Sequence, residues 1–265
     1  MTSISQTIQN SSSKCALIPF ITAGDPNLKI TAEAIIALHK SGADVIELGL
    51  PYSVPLADGP TIQEASNRAL IQNTTLDKVL KIVKNINQSV TIPIVLFTYY
   101  NPLISRGILQ FIQDISRVGI QGLLIPDLPL EEADYINYLC HQFNIELIFL
   151  ISPTSTTVRI KNIVDKANGS IYLVTKTGVT GTPSKLQPIT KYLIDTIKTI
   201  TYQPLILGFG ISTPDQVKNL CNLNIEGIVL GSIFVKKLSN KTSTTGIKKI
   251  IEFCKELKQI TFYSY

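Results

Sequence analysis

The sequence predicts an α/β fold in which eight short strands, each followed by a helix, close into a (β/α)8 TIM barrel. Three observations carry that reading. Eight continuous apolar runs alternate with segments of helical period, the pattern of a parallel sheet covered by helices. The length of 265 residues suits eight such units. Near-repeats introduce several of the runs: S-G-A-D-V-I-E-L-G from Ser41, V-G-I-Q-G-L-L-I-P from Val118 and L-N-I-E-G-I-V-L-G from Leu223. An open doubly wound sheet is the alternative. It calls for G-x-G-x-x-G after the first strand, where Thr22-Ala23-Gly24-Asp25-Pro26 stands instead.

The elements follow in order. Residues 1–14 are polar and read as a short helix or a loose arm ahead of a single barrel domain spanning 1–265. Ala16 to Phe20 is the first strand, and Leu28 to Lys40 is a helix stopped by Gly42. Val45 to Leu48 is the second strand. After a proline-rich loop, Thr61 to Leu70 is a short extra helix and Leu76 to Asn87 the regular one. Ile94 to Thr98 is a strand ending in Tyr99-Tyr100-Asn101-Pro102, and Ile108 to Val118 is helical. Strands at Gly122–Ile125, Glu146–Leu150 and Ile171–Val174 alternate with helices at Glu131–Gln142, Thr156–Ala167 and Pro188–Ile200. Leu205–Leu207 and Gly227–Leu230 complete the strands, around a helix at Thr213–Leu223. A second short extra helix, Ser232–Leu238, and a final helix near Thr245–Lys258 follow.

Composition narrows the function. Hydrophobic residues at 45% and charged residues at 16% support a large core and exclude global disorder. The net charge of +5 comes from lysines spread along the chain, without a basic cluster interleaved with aromatics, which argues against nucleic acid. Cys15, Cys140, Cys221 and Cys254 are too far apart for a C-x-x-C site and read as free thiols in a reducing compartment. His39 and His141 lie late in helical segments, which leaves little for a histidine triad or a histidine-ligated metal. The longest uncharged run, around Val90 to Ser105, is broken by Pro93, Asn101 and Pro102, which leaves its apolar stretch too short and too interrupted to span a bilayer. The start of the chain lacks a basic-then-apolar secretion pattern, and no arginine precedes Arg68. The cytoplasm is the expected location, or the plastid stroma if the gene is plastid-encoded, as the abundance of Ile, Lys and Asn would suit.

The chemistry concentrates where barrel sites lie, at the C-terminal ends of the strands. Glu47 interrupts an apolar strand, where burial would raise its pKa. Asp58 follows eleven residues later, held before Gly59-Pro60 on a loop. One carboxyl fixed inside and one on a rim suit proton traffic at an enclosed substrate. They also suit a buried acid satisfied by a neighbour and a helix-capping aspartate. Gly231-Ser232 opening a short helix, with Gly208-Phe209-Gly210 one unit earlier, suits a phosphate, although Gly-Ser is also an ordinary cap. Other strand ends offer Phe20 and Thr22, Phe97 and Tyr99, Leu124 and Asp127, and Tyr172. Their rings and aliphatic groups could form a flat apolar slot or simply close the top of the core. The loops after strands two and six carry glycines that suit lids.

Four stretches together resemble a known family. They are Glu47-Leu48-Gly49-Leu50-Pro51-Tyr52-Ser53-Val54-Pro55-Leu56-Ala57-Asp58-Gly59-Pro60, Ile18-Pro19-Phe20-Ile21-Thr22-Ala23-Gly24-Asp25-Pro26, Thr177-Gly178-Val179-Thr180-Gly181 and Gly208-Phe209-Gly210-Ile211. In this order, over nearly the whole chain, they resemble the tryptophan synthase alpha chain family. The resemblance implies a carbon–carbon lyase of L-tryptophan biosynthesis that cleaves indole-3-glycerol phosphate to indole and glyceraldehyde 3-phosphate. It implies no cofactor and no metal, and an α2β2 assembly with a pyridoxal-phosphate beta chain, without nucleic acid or membrane. The residues matching the family's catalytic groups are Glu47, Asp58 and Tyr172. Gly181, Gly210, Gly231 and Ser232 match the phosphate site, and Phe20, Phe97, Tyr99, Leu124 and Phe209 match the indole slot. In the lids, Thr180 matches the family, Val54 replaces a usual aspartate, and Lys176 replaces a common arginine. Lysine keeps the charge but loses the planar fork. Because Val54 bears on lid closure, the alternative is a weakly active barrel that mainly binds and activates a beta chain.

Overall fold

A computed structural model describes residues 3–174, 188–208, 210–239 and 243–263. Its eight strands form a closed barrel in sequence order, every neighbouring pair parallel. The strands are β1 (Ala16–Thr22), β2 (Ile46–Gly49), β3 (Ile94–Phe97), β4 (Gly122–Leu124), β5 (Glu146–Ile151), β6 (Ile171–Val174), β7 (Leu205–Gly208) and β8 (Gly227–Leu230). Closure comes where Ala16 to Pro19 pair with Gly227 to Leu230. The largely apolar strands bury both faces here. One face points into the barrel and the other packs under the helices.

The helices alternate with the strands. They are α1 (Ile4–Gln9), α2 (Leu28–Lys40), α3 (Pro60–Ile71), α4 (Leu76–Ile86), α5 (Tyr100–Arg106), α6 (Ile108–Arg117), α7 (Ala133–Gln142), α8 (Thr157–Lys166), α9 (Pro188–Ile200), α10 (Pro214–Leu220), α11 (Ser232–Leu238) and α12 (Ser243–Tyr263). Both short extra helices are present, α3 after β2 and α11 after β8. Among the described residues, no helix is long and apolar enough to cross a membrane.

Beyond shifts of a few residues at the ends of elements such as β1 and α10, the structure differs from the sequence reading in the following places. Tyr100–Arg106 forms a helix where a plain loop was expected. Pro102 is its third residue, and a proline in a first turn gives up an N–H that has no helical partner anyway. Gly107, at φ +85°, ends it. The segment before α7 is a 3₁₀ turn, Leu130–Glu132, and the last helix extends beyond the expected Thr245–Lys258.

The amino-terminal segment folds as a helix that closes the barrel floor. Ser3 caps it, with its hydroxyl accepting from the Gln6 N–H while the Gln6 side chain accepts from the Ser3 N–H. Ile4 and Ile8 are buried in the barrel-interior cluster with Ala16, Ile18 and Val95. Gly122 is required beneath them, because a Cβ there would stand 2.8 Å from Val95 Cγ2 and 2.9 Å from Ile4 Cγ1. The Glu146 carboxylate fastens the plug, accepting from the Ser5 N–H at 2.8 Å and the Ser170 N–H at 2.7 Å.

Removing the plug's main anchor tests this account. Ile4→Ala is expected to lower stability by about 2–5 kcal/mol, read as a lower midpoint in urea unfolding. An unchanged midpoint would place α1 outside the cooperative core.

Candidate active site

The inward-facing side chains near the C-terminal ends of the strands build one apolar cluster. Phe20, Phe97, Tyr99, Leu124 and Tyr172 belong to it, each almost fully buried. Phe20 and Phe97 meet edge to face at 5.7 Å between ring centroids, and Phe97 and Tyr99 at 6.1 Å. Two glycines make room for these rings. A Cβ on Gly49 would come within 2.5 Å of Phe20 Cζ, and one on Gly208 would overlap the Tyr172 hydroxyl at 1.9 Å. Glycine at both positions lets backbone lie directly against an aromatic ring.

Glu47 projects into this apolar interior from β2, in register with Phe20 and Val95, and is 4% exposed. Burial in such surroundings penalises its charged form, and the nearby Asp58 charge adds to the penalty, pushing its pKa up to about 8. Asp58 sits on the rim, half-buried, on the loop before α3. Burial raises its pKa to about 6, against the opposing pull of a hydrogen bond from Tyr99. That bond runs from the Tyr99 hydroxyl to Asp58 Oδ2 at 2.9 Å, while the Ala57 N–H donates to the same tyrosine oxygen at 3.0 Å. Tyr99 is itself held well above the ordinary phenol range, first by burial and then by Asp58. Burial does the same for Tyr172, with Glu47 and Asp58 adding to it. At neutral pH the arrangement keeps one carboxyl protonated inside and one ionised at the edge. An acid and a stabilising anion therefore face the same apolar space.

The structure thus brings together Glu47, Asp58, Tyr172, Phe20, Phe97, Tyr99 and Leu124. Ser232 begins α11, and Gly231 precedes it on the side of Ile62 and Phe20. A Cβ on Gly231 would meet those two side chains at 3.4–3.5 Å, ordinary contact distances, so packing alone does not demand a glycine there. Gly210 takes φ +82°, the left-handed region. Val54 is 53% exposed on the outer part of the Asp58 loop. Phe209, Lys176, Thr180 and Gly181 lie outside the described residues. Asp127, shortlisted from the end of the fourth strand, accepts from the Tyr100 N–H at 2.9 Å and so caps α5.

Four residues that line the cluster were not anticipated: Tyr52, Ile62, Leu150 and Val174. Tyr52 stacks on Tyr99 with centroids 4.9 Å apart, bracing the ring that holds Asp58. Strand alternation could have found Leu150 and Val174, two residues beyond the inward-facing Ile148 and Tyr172. Tyr52 and Ile62 sit on a loop and a helix, where no such period applies.

A family model described as tryptophan synthase alpha chain matches residues 7–262. The chain belongs to the tryptophan synthase alpha chain family. It is 55% identical over 258 residues to the tryptophan synthase alpha chain of Pyropia yezoensis, covering 97% of this chain and 98% of that one. Against the alpha chain of Trichodesmium erythraeum (strain IMS101) the identity is 47%, covering 96% of each. Among solved structures, one of the tryptophan synthase α2β2 complex of Pyrococcus furiosus matches with a TM-score of 0.87 at 34% identity, over 92% of this alpha chain and 98% of that chain.

The raised pKa of Glu47 makes stability depend on pH. An open-chain glutamate titrates near 4.5, whereas this one titrates near 8. Between those values the unfolded chain has released the proton that the folded chain keeps, so stability falls as pH rises through that window. Glu47→Gln abolishes the effect. The variant is expected to exceed the wild type by about 2–5 kcal/mol at about pH 8.5 and to match it near about pH 4.5 in thermal melts. Parallel pH curves for the two proteins would contradict the burial account.

Proposed function

We propose that this chain, as one barrel domain, cleaves indole-3-glycerol phosphate to indole and glyceraldehyde 3-phosphate. The observation that carries the reading is the pairing of Glu47, protonated in an apolar interior, with Asp58, ionised at its rim. The indole ring lies flat in the slot of Phe20, Phe97, Tyr99 and Leu124, with Phe209 completing it. Its N–H donates to the Asp58 carboxylate. Glu47 gives its proton to the ring carbon that carries the side chain, and the ring becomes a cationic indolenine. The positive charge gathers at the ring nitrogen, opposite Asp58, where a fixed carboxylate stabilises it in a water-poor site.

The Glu47 carboxylate left behind then takes the proton of the side-chain hydroxyl. The carbon–carbon bond breaks, its electrons return to the ring to give indole, and the aldehyde departs. Glu47 ends protonated, as it began. Tyr172 stands beside the reacting carbons and, with Gly208 backing it, fixes the floor of the slot. The phosphate lies against Gly181, Gly210, Gly231 and Ser232, whose backbone can approach it closely. The chain's own residues supply each of these steps without a cofactor.

The chain works as the alpha subunit of an α2β2 tetramer, passing indole to a beta chain. Val54, exposed on the Asp58 loop, acts with Lys176 and Thr180 of the loop after β6 as the lid through which the subunits communicate. The setting is the cytoplasm or the plastid stroma. Four buried free thiols and relatives in both Pyropia and cyanobacteria such as Trichodesmium support that setting.

The test is indole release from indole-3-glycerol phosphate by the purified chain, with and without a beta chain. The wild type is expected to be slow alone and faster with the partner. Turnover should be greatest between about pH 6 and about 8, falling below as Asp58 gains a proton and above as Glu47 loses one. Glu47→Gln should lose about a thousandfold in kcat while keeping its fold. Wild-type turnover in that variant would refute its role. Release that no partner can raise would favour the reading in which Val54 leaves a subunit poorly coupled to its beta chain.

A further inference from the structure

Asp58 is bolted to the helix that follows it. The Gln63 side-chain amide donates to the Asp58 carbonyl at 2.9 Å, and the N–H groups of Ile62 and Gln63 both donate to the Gly59 carbonyl at 3.0 Å. Where α3 goes, Asp58 goes. Ile62, on the first turn of α3, points toward the β8 end, where a Cβ added to Gly231 would stand 3.4 Å from the Ile62 Cδ1.

Two turns along α3, Arg68 grips two other segments at once. Its Nε donates to Asp25 Oδ1 at 2.8 Å and its Nη2 to Asp25 Oδ2 at 2.9 Å, a two-pronged pair in the loop after β1. The same Nη2 donates to Ser239 Oγ at 3.0 Å, at the far end of α11. Ser239 Oγ lies 3.1 Å from Asp25 Oδ2 and 2.7 Å from the Val235 carbonyl, so its single proton is shared between these acceptors. Asp25 is 2% exposed, and a carboxylate so buried requires a close cation. A counter-ion alone would need no third vertex. The bond to Ser239 closes a triangle among the β1 loop, α3 and α11, and triangulation fixes relative position. Gln72, one turn beyond Arg68, donates to the Pro26 carbonyl and docks α3 on the β1 loop a second time.

We propose that Arg68 is a positioning residue, which through Asp25 and Ser239 holds the Asp58 segment and the Gly231–Ser232 end of β8 at a set separation. The two ends of one substrate, ring nitrogen and phosphate, are then met together. The inference rests on the roles given above to Asp58 and to Gly231–Ser232. Lysine cannot replace arginine here, because one ammonium cannot span both carboxylate oxygens and the serine with the same planar geometry.

The test compares whole substrate with its fragments, using the full chain alone and with a beta chain. Ser239→Ala cuts only the third vertex and leaves the Arg68–Asp25 pair, while Arg68→Lys weakens both bonds. Indole and inorganic phosphate, as competitive inhibitors, should keep inhibition constants within about twofold of wild type, since each fragment needs only its own half-site. For indole-3-glycerol phosphate, kcat/KM should fall about tenfold in Ser239→Ala and about a hundredfold in Arg68→Lys, chiefly in kcat. If Arg68→Lys does not fold, Ser239→Ala decides. Equal weakening of fragments and substrate would show general loosening and overturn the proposal. So would wild-type kcat/KM in a folded Ser239→Ala. A wild type that neither turns over the substrate nor is inhibited by phosphate would instead remove the functional reading beneath it.

Discussion

The burial of one carboxyl group in an apolar barrel sets the terms for the rest of the site. Placing Glu47 among Phe20, Phe97 and Tyr172 would be costly if it were charged, so the fold keeps it protonated. That is the state an acid needs in order to act on carbon. The second carboxyl cannot share the same surroundings, because two buried anions would repel. It sits on the rim, where partial burial and the Tyr99 hydrogen bond pull in opposite directions. Two groups of the same chemical type thereby take opposite protonation states, and the difference arises from depth in the barrel.

Much of this was legible in the chain because the barrel writes itself plainly. Strands buried on both faces appear as unbroken apolar runs, and α2 and α9 have the bounds their period indicates. A glutamate inside such a run stands out for the same reason. What escaped the sequence depends on contacts between distant segments. Pro102 looks like a stop signal until its place in a first turn makes it harmless. Nothing in the sequence around Asp127 shows that it accepts from the Tyr100 N–H at the start of α5. Tyr52 has no period to betray it, and only the fold shows it stacked on Tyr99.

The glycines illustrate a constraint that runs against the usual reading of small residues as flexible. Gly49 and Gly208 are the last residues of β2 and β7, each preceded by a fully buried leucine, and neither takes the positive φ of a tight turn. Each is small so that a neighbouring ring can occupy the space of the missing side chain. The slot is therefore shaped by absences on one strand matched to bulk on the next. The identity of Phe20 and Tyr172 is tied to residues with no side chain at all.

The α1 plug has a consequence for the path of protons. With Ile4 and Ile8 buried in the barrel-interior cluster, α1 closes the floor of the barrel. A substrate seated in that rim acts as its own stopper. In the proposed reaction this floor beneath Glu47 favours replacing the proton it gives to the ring with one from the substrate's own hydroxyl. On that proposal the acid is reset from within each turnover, and the cycle exchanges no net proton with the solvent until the products leave.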